Sequence, residues 1–100
     1  MEIKEKYNLE FKKEITKTFL KTVSAYSNYN DGEIIFGMDD DGNIVGLDSI
    51  KEDCLRIENM INDSIDPVPD FKIEVREIND KSIIVLSVKK GSDTPYYYRG

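Results

Sequence analysis

The chain of 100 residues has no histidine, no tryptophan and one cysteine, Cys54. A single thiol cannot form an internal disulfide, and without histidine or a second thiol there is no zinc-ligand set. No apolar run approaches the roughly 20 residues that a membrane-spanning helix needs, and nothing resembles a signal peptide. These absences predict a cytoplasmic protein with no membrane partner. Gly32, Gly37, Gly42 and Gly46 do not fall into G-x-x-x-x-G-K-[ST] or G-x-G-x-x-G, so no ATP site is predicted.

What is present argues for one folded unit. An apolar fraction of 39% and ten aromatic residues can build a single core over residues 1–100. The last residues, "PYYYRG", carry aromatics to the end without a polar tail, which predicts a domain excised from a longer protein.

The net charge of −6 is unevenly spread. Residues 1–30 hold six lysines against four glutamates, residues 31–80 four basic against fifteen acidic, and residues 81–100 four basic against one acidic. The ends are mildly basic and the middle strongly acidic. If the ends meet, Lys12, Lys13, Lys17 and Lys21 join Lys89, Lys90 and Arg99 in a positive face on an acidic molecule. Otherwise these lysines are a solvated helix face.

Periodicity gives a map. "NLEFKK" reads as a short strand with Leu9 and Phe11 on one side and Glu10 and Lys12 on the other. Ile15, Phe19, Val23 and Tyr26 fall at helical spacing, with Lys17 and Lys21 turned away. Asn28 to Gly32 is a turn; Asn28 can close its own helix end or face a ligand beside Lys12. "EIIFGM" is a strand with no wet face, and "GNIVGL" pairs back to it across Asp41-Gly42, a pair suited to a type I′ hairpin. Gly37 inside that strand implies a bulge or a close backbone approach.

Ser49 and Glu52 fit a capping box for a second helix with the stripe Ile50, Cys54, Ile57, Ile61 and Ile65. Pro67 and Pro69 stop it. "FKIEVREI" alternates with Phe71, Ile73 and Val75 facing in; Asn79-Asp80 turns the chain; "SIIVLSV" is apolar on both sides and therefore central. "PYYYR" is the last strand, an exposed edge that predicts a homodimer. The expected fold is α+β, a mixed sheet of about five to six strands with two helices, in the order β-α-β-β-α-β-β-β.

"LEFK", a helix, "SAYSN", a glycine turn, "IIFGMDDDGNIVGL" and a terminal aromatic-Arg-Gly strand together resemble the Schlafen-type Alba-like domain. That family has long been labelled DNA-binding, and an older description made it a divergent AAA module. The resemblance covers nearly the whole chain and implies a nucleic-acid-associated domain, the N-terminal part of a microbial transcriptional regulator or helicase-like protein.

In vertebrate relatives the domain belongs to an RNA-cleaving fold whose acids hold a divalent metal. Matched residue by residue, those acids are Glu5, Glu10 and Asp40 here, with Mg²⁺ or Mn²⁺ as the implied ion. A hard cation prefers oxygen ligands, activates water and offsets charge on the leaving oxygen. Two departures stand out: Lys6 follows the first acid where the family usually has serine, and Asp31-Gly32 replaces the usual paired glycines.

Three functions follow as expectations. The first is a nucleic-acid-binding module of DNA or RNA, with Lys12, Lys13, Lys17, Asn28, Lys89, Lys90 and Arg99 as contacts. The second is a metal-dependent nuclease built on Glu5, Glu10 and Asp40. The third is a protein-interaction or oligomerisation domain, which the acidic middle segment supports. Tyr96, Tyr97 and Tyr98 are either core residues or platforms for base stacking.

Overall fold

The structure, a computed structural model, describes residues 6–99. It has the expected α+β class, two helices and six strands: β1 (Leu9–Lys12), α1 (Phe19–Tyr29), β2 (Gly32–Phe36), α2 (Ile50–Ser64), β3 (Ile65–Asp66), β4 (Asp70–Ile78), β5 (Lys81–Lys89) and β6 (Tyr97–Tyr98). The strands divide between two sheets. Four form a mixed sheet in the order β1-β2-β5-β4, and β3 pairs with β6 in a sheet of two. β1 runs parallel to β2, and the other pairs are antiparallel.

β5 lies between β2 and β4 and is buried on both faces, which is why its sequence has no polar side. Ile83, Ile84, Val85 and Leu86 are all buried. The alternation sends Ile84, Leu86 and Val88 to one face, where Ile34 and Phe36 of β2 join them, and both helices cover that face. The ring of Phe19 meets that of Phe36 edge to face, with centroids 5.3 Å apart. From α2, Ile57 and Ile61 are wholly buried; removing such a side chain from water contributes about 2 kcal/mol. Cys54 packs against this core, as the stripe predicted. Burial, with the Asp53 carboxylate adding to it, pushes its thiol pKa up, so the thiol stays protonated.

α1 begins later than its apolar spacing implied. Ile15 is buried but lies ahead of the helix and of the turn that leads into it, which is closed by Phe19 N to Thr16 O and Leu20 N to Lys17 O. The hydroxyls of Thr16 and Thr18 bond to each other at 2.9 Å, local bonding that competes with helix. Ser49 caps α2 by position alone, because its side chain makes no capping bond.

The hairpin after β2 differs from expectation in type and extent. Its second arm makes one isolated bridge, Met38 to Ile44, instead of a ladder. The turn runs from Asp39 to Asn43: Gly42 N donates to Asp39 O at 3.0 Å, Asp39 N donates to Asn43 O at 2.9 Å, and Gly42 alone has positive φ, 84°. That is a three-residue loop ending in a left-handed glycine, not a type I′ turn. The two-residue turn with both φ values positive is Asn79-Asp80, at 51° and 64°, between β4 and β5.

Gly37 explains why β2 stops. At φ 98° its amide and that of Met38 both donate to Lys12 O, while its carbonyl accepts from Val45 and Gly46. The expected bulge and the close approach of backbone are therefore one feature. The terminal strand is also shorter than expected: β6 has two residues and is taken up by β3. The long outer strand of the four-stranded sheet is β4.

Candidate functional site

The basic residues of the two ends do not gather in one place. Lys12 closes β1 opposite Phe36, which in turn lies opposite Ile84. Lys89 is five residues further along β5, roughly 17 Å away at strand spacing. The sheet therefore separates Lys12 from Lys89 and Lys90, and the expected single face breaks into two.

At the end that holds Lys89, the cations are matched by acids. Lys89 lines a shallow cleft with Lys6, Asn8, Asp31 and Glu33. Asp31 accepts the backbone amide of Lys90 at 2.7 Å, and Glu33 accepts the hydroxyl of Ser87 at 3.2 Å.

The other end is built by α1. The turn leading into it places Lys17 beside Arg99, which follows β6, and the two line one cleft of about 170 Å³ with Leu20, Met60, Ser64 and Tyr98. Arg99 is held there by its backbone amide, which donates to Ser64 O at 2.7 Å. Among the described residues neither Lys17 nor Arg99 is ion-paired. Lys12 comes close to this group, since its Nζ reaches the hydroxyl of Thr18, the neighbour of Lys17, at 3.4 Å. Lys13 is exposed near the hairpin tip, where its charge helps to stabilise the Asp39 carboxylate.

Glu10 projects from β1 on the helix-covered face. One oxygen, Oε2, accepts the Thr22 hydroxyl at 2.8 Å and lies 3.8 Å from Lys12 Nζ. Asp40 stands exposed on the hairpin tip. Glu5 lies outside the described residues. Among the described residues no three carboxylate, thiol or imidazole groups cluster as metal ligands. Glu10 and Asp40 alone do not supply a ligand set, and the Lys12 cation competes for the Glu10 carboxylate.

The three aspartates of the tip have different tasks. Asp39 Oδ1 accepts the backbone amides of Asp41 and Asn43, both at 2.9 Å, and its other oxygen accepts the Asn43 side chain at 3.3 Å. The Asn43 amide is the main reason its pKa falls below the ordinary value. Asp39 thus forms the turn, and Asp40 and Asp41 stand in solvent.

Asn28 faces neither its own helix end nor Lys12. Its side chain bonds the backbone of Tyr96 in both directions. Tyr96 is a core residue, whereas Tyr97 is 62% exposed and Tyr98 forms a wall of the Lys17–Arg99 cleft. The sequence reading named Lys17 and Arg99 but not Ser64 and Met60, which line the same cleft, because no periodic signal links α2 to the end of the chain. Thr22 was also missed; its position one turn after Thr18, facing an acid-bearing strand, was the available signal.

A mixed sheet backed by two helices defines a small α+β domain. Residues 1–100 match the family model described as Schlafen, AlbA_2, and the chain belongs to that family. A similar solved structure is the N-terminal domain of a "putative ATP-dependent DNA helicase RecG-related protein" from Nitrosomonas europaea, with a TM-score of 0.79 and 17% identity. The match covers 98% of this chain and 74% of that one. No match was found among curated proteins.

Proposed function

We propose that this domain binds nucleic acid through Lys17, Arg99 and Lys12, as one module of a larger transcriptional regulator or helicase-like protein of the cytoplasm. The observation that carries this reading is the Lys17–Arg99 cleft, where two cations with no ion pair among the described residues share a wall with Tyr98. Phosphate oxygens would take the cations, and a base could stack on the exposed Tyr97. Lys13, Lys89 and Lys90 contribute less: acids lie beside them, as Glu10 does beside Lys12, but Lys12 alone of these four also reaches the Lys17 segment, through the Thr18 hydroxyl. Family membership and the likeness to a helicase-related domain support the same reading.

Binding to short labelled DNA or RNA, followed by fluorescence anisotropy, tests it. With three phosphate contacts, log K should fall against log salt with a slope of about −2 to −3. The double variant Lys17→Glu, Arg99→Glu should abolish binding, and Lys89→Glu, Lys90→Glu should change it little. Binding that ignores salt, or survives the first double variant, overturns the assignment. Metal-dependent cleavage is retained as a second proposal only in the form that Glu5 brings Glu10 and Asp40 into one set around a Mg²⁺ or Mn²⁺ ion.

A further inference from the structure

β4 is the outer strand of the four-stranded sheet and pairs with β5 on one side only. It is nine residues long, and no described strand covers its outer side. An open edge of this length is a template for another strand unless the sequence prevents pairing. Here it also carries exposed apolar side chains: Val75 and Ile78 within it, Val68 just before it, and Leu55 of α2 beside it. Leu55 lines a cleft with Phe71 and Ile73 against the same edge.

The charges of β4 settle what fits there. From Asp70 the strand alternates Asp70, Lys72, Glu74, Arg76 on one face with Phe71, Ile73, Val75 on the other. A two-fold axis perpendicular to the sheet must place residues of the same face opposite each other, so the axis passes through a residue. Through Glu74, it sets Glu74 against Glu74 and Lys72 against Arg76, all like charges. Through Lys72, it sets lysine against lysine and Asp70 against Glu74. Through Val75, it matches Glu74 with Arg76 but sets Lys72 against Ile78 and Ile73 against Glu77; through Phe71, it matches Asp70 with Lys72 but sets Val68 against Glu74.

Through Ile73, every pair from Asp70 to Arg76 is matched. Asp70 of one copy lies opposite Arg76 of the other, and Lys72 opposite Glu74, each occurring twice. Phe71 meets Val75, and Ile73 meets itself; beyond them Val68 meets Ile78. Cross-strand pairs of these kinds are the units that stabilise antiparallel sheets.

We infer that the outer edge of β4 is a self-association surface that pairs antiparallel with a second copy of this chain, with Ile73 on the two-fold axis. The result is a continuous eight-stranded sheet with the helices of both copies on one side. The surface is separate from the Lys17–Arg99 cleft, and its test does not depend on nucleic acid.

The experiment is a charge swap read by sedimentation equilibrium over a wide concentration range. The unmodified domain should show a monomer–dimer equilibrium. Lys72→Glu alone, or Glu74→Lys alone, puts like charges opposite at two places and should weaken the dimer at least tenfold. The double variant Lys72→Glu, Glu74→Lys should restore it, and an equimolar mixture of the two single variants should form a heterodimer. Within one chain Lys72 Nζ lies 3.4 Å from Glu74 Oε1 and Arg76 reaches the same carboxylate at 3.8 Å, so circular dichroism and urea denaturation of each variant separate loss of these pairs from loss of the dimer. A monomer at every concentration, a dimer indifferent to the single swaps, or single variants that fail to complement each other overturns the proposal.

Discussion

The side-chain amide of Asn28 is matched to the backbone of Tyr96: its oxygen accepts Tyr96 N at 2.6 Å and its nitrogen donates to Tyr96 O at 2.9 Å. This pair ties α1 to the segment leading into β6. Ser24 adds a bond to the same carbonyl at 3.2 Å. Asn28→Ala should lower stability by about 2 kcal/mol, since two bonds are lost and half-buried backbone groups are left unmade. Asn28→Asp should cost a similar amount, because a carboxylate cannot donate to the carbonyl. Urea denaturation of the three proteins checks this.

Gly32 and Gly37 resist a methyl group for different reasons. A Cβ on Gly32 would run into the ring of Tyr26, which is buried at the start of β2. A Cβ on Gly37 would lie 3.2 Å from Ile83 Cγ2 and Leu47 Cγ in a left-handed conformation. Gly32→Ala and Gly37→Ala should each destabilise by about 1–3 kcal/mol. Gly37→Ala should also loosen the hairpin, visible as faster amide exchange at Val45 and Gly46.

Asp39 links the hairpin to pH. Its folded pKa lies below the ordinary 3.8 because charged oxygens accept amide protons from Asn43 and Asp41. A depressed acid contributes stability above its unfolded pKa and loses it as pH falls through the folded value. The tip should therefore be intact from neutral pH down to about 4 and open in stronger acid. Exchange of the Asn43 and Asp41 amides should accelerate over that acid range. In Asp39→Ala it should be fast throughout, with no acid limb.

The carboxylate proposal is tested by Mn²⁺. If Glu5, Glu10 and Asp40 share an ion, Mn²⁺ at 100 times its dissociation constant should stabilise the fold by about 2.7 kcal/mol. Glu10→Gln and Asp40→Asn should each erase the gain, and Asp41→Asn should not. A melting shift that survives Asp40→Asn places the metal elsewhere on the acidic surface.

The elements were legible in the sequence wherever burial imposes a period. β5 reads as central because both of its faces are covered, and the α2 stripe reads correctly because Ile57 and Ile61 face the sheet. The grouping of the basic residues was not legible. It depends on β2 and β5 running antiparallel, which sends Lys89 to the start of β1 while Lys12 sits at its end. Charge totals for the two ends carry no information about that direction. The three aspartates were ambiguous for a different reason: any of them could serve a turn, and the choice of Asp39 follows from hydrogen bonds to Asp41 and Asn43.

The sheet order also fixes an unequal division of labour in time. β4 and β5 are joined by a two-residue turn, so this hairpin can form within about 1–10 μs of local search. β2 must find β5 across a much longer loop, as the pairing of Glu33 with Ser87 spans 54 residues. Closing that loop is the entropic barrier, whereas β1 meets β2 across a shorter one, Leu9 opposite Glu33. Substitutions at the β2–β5 seam, such as Ile34→Val, should therefore slow refolding. Stopped-flow measurements on this variant check it.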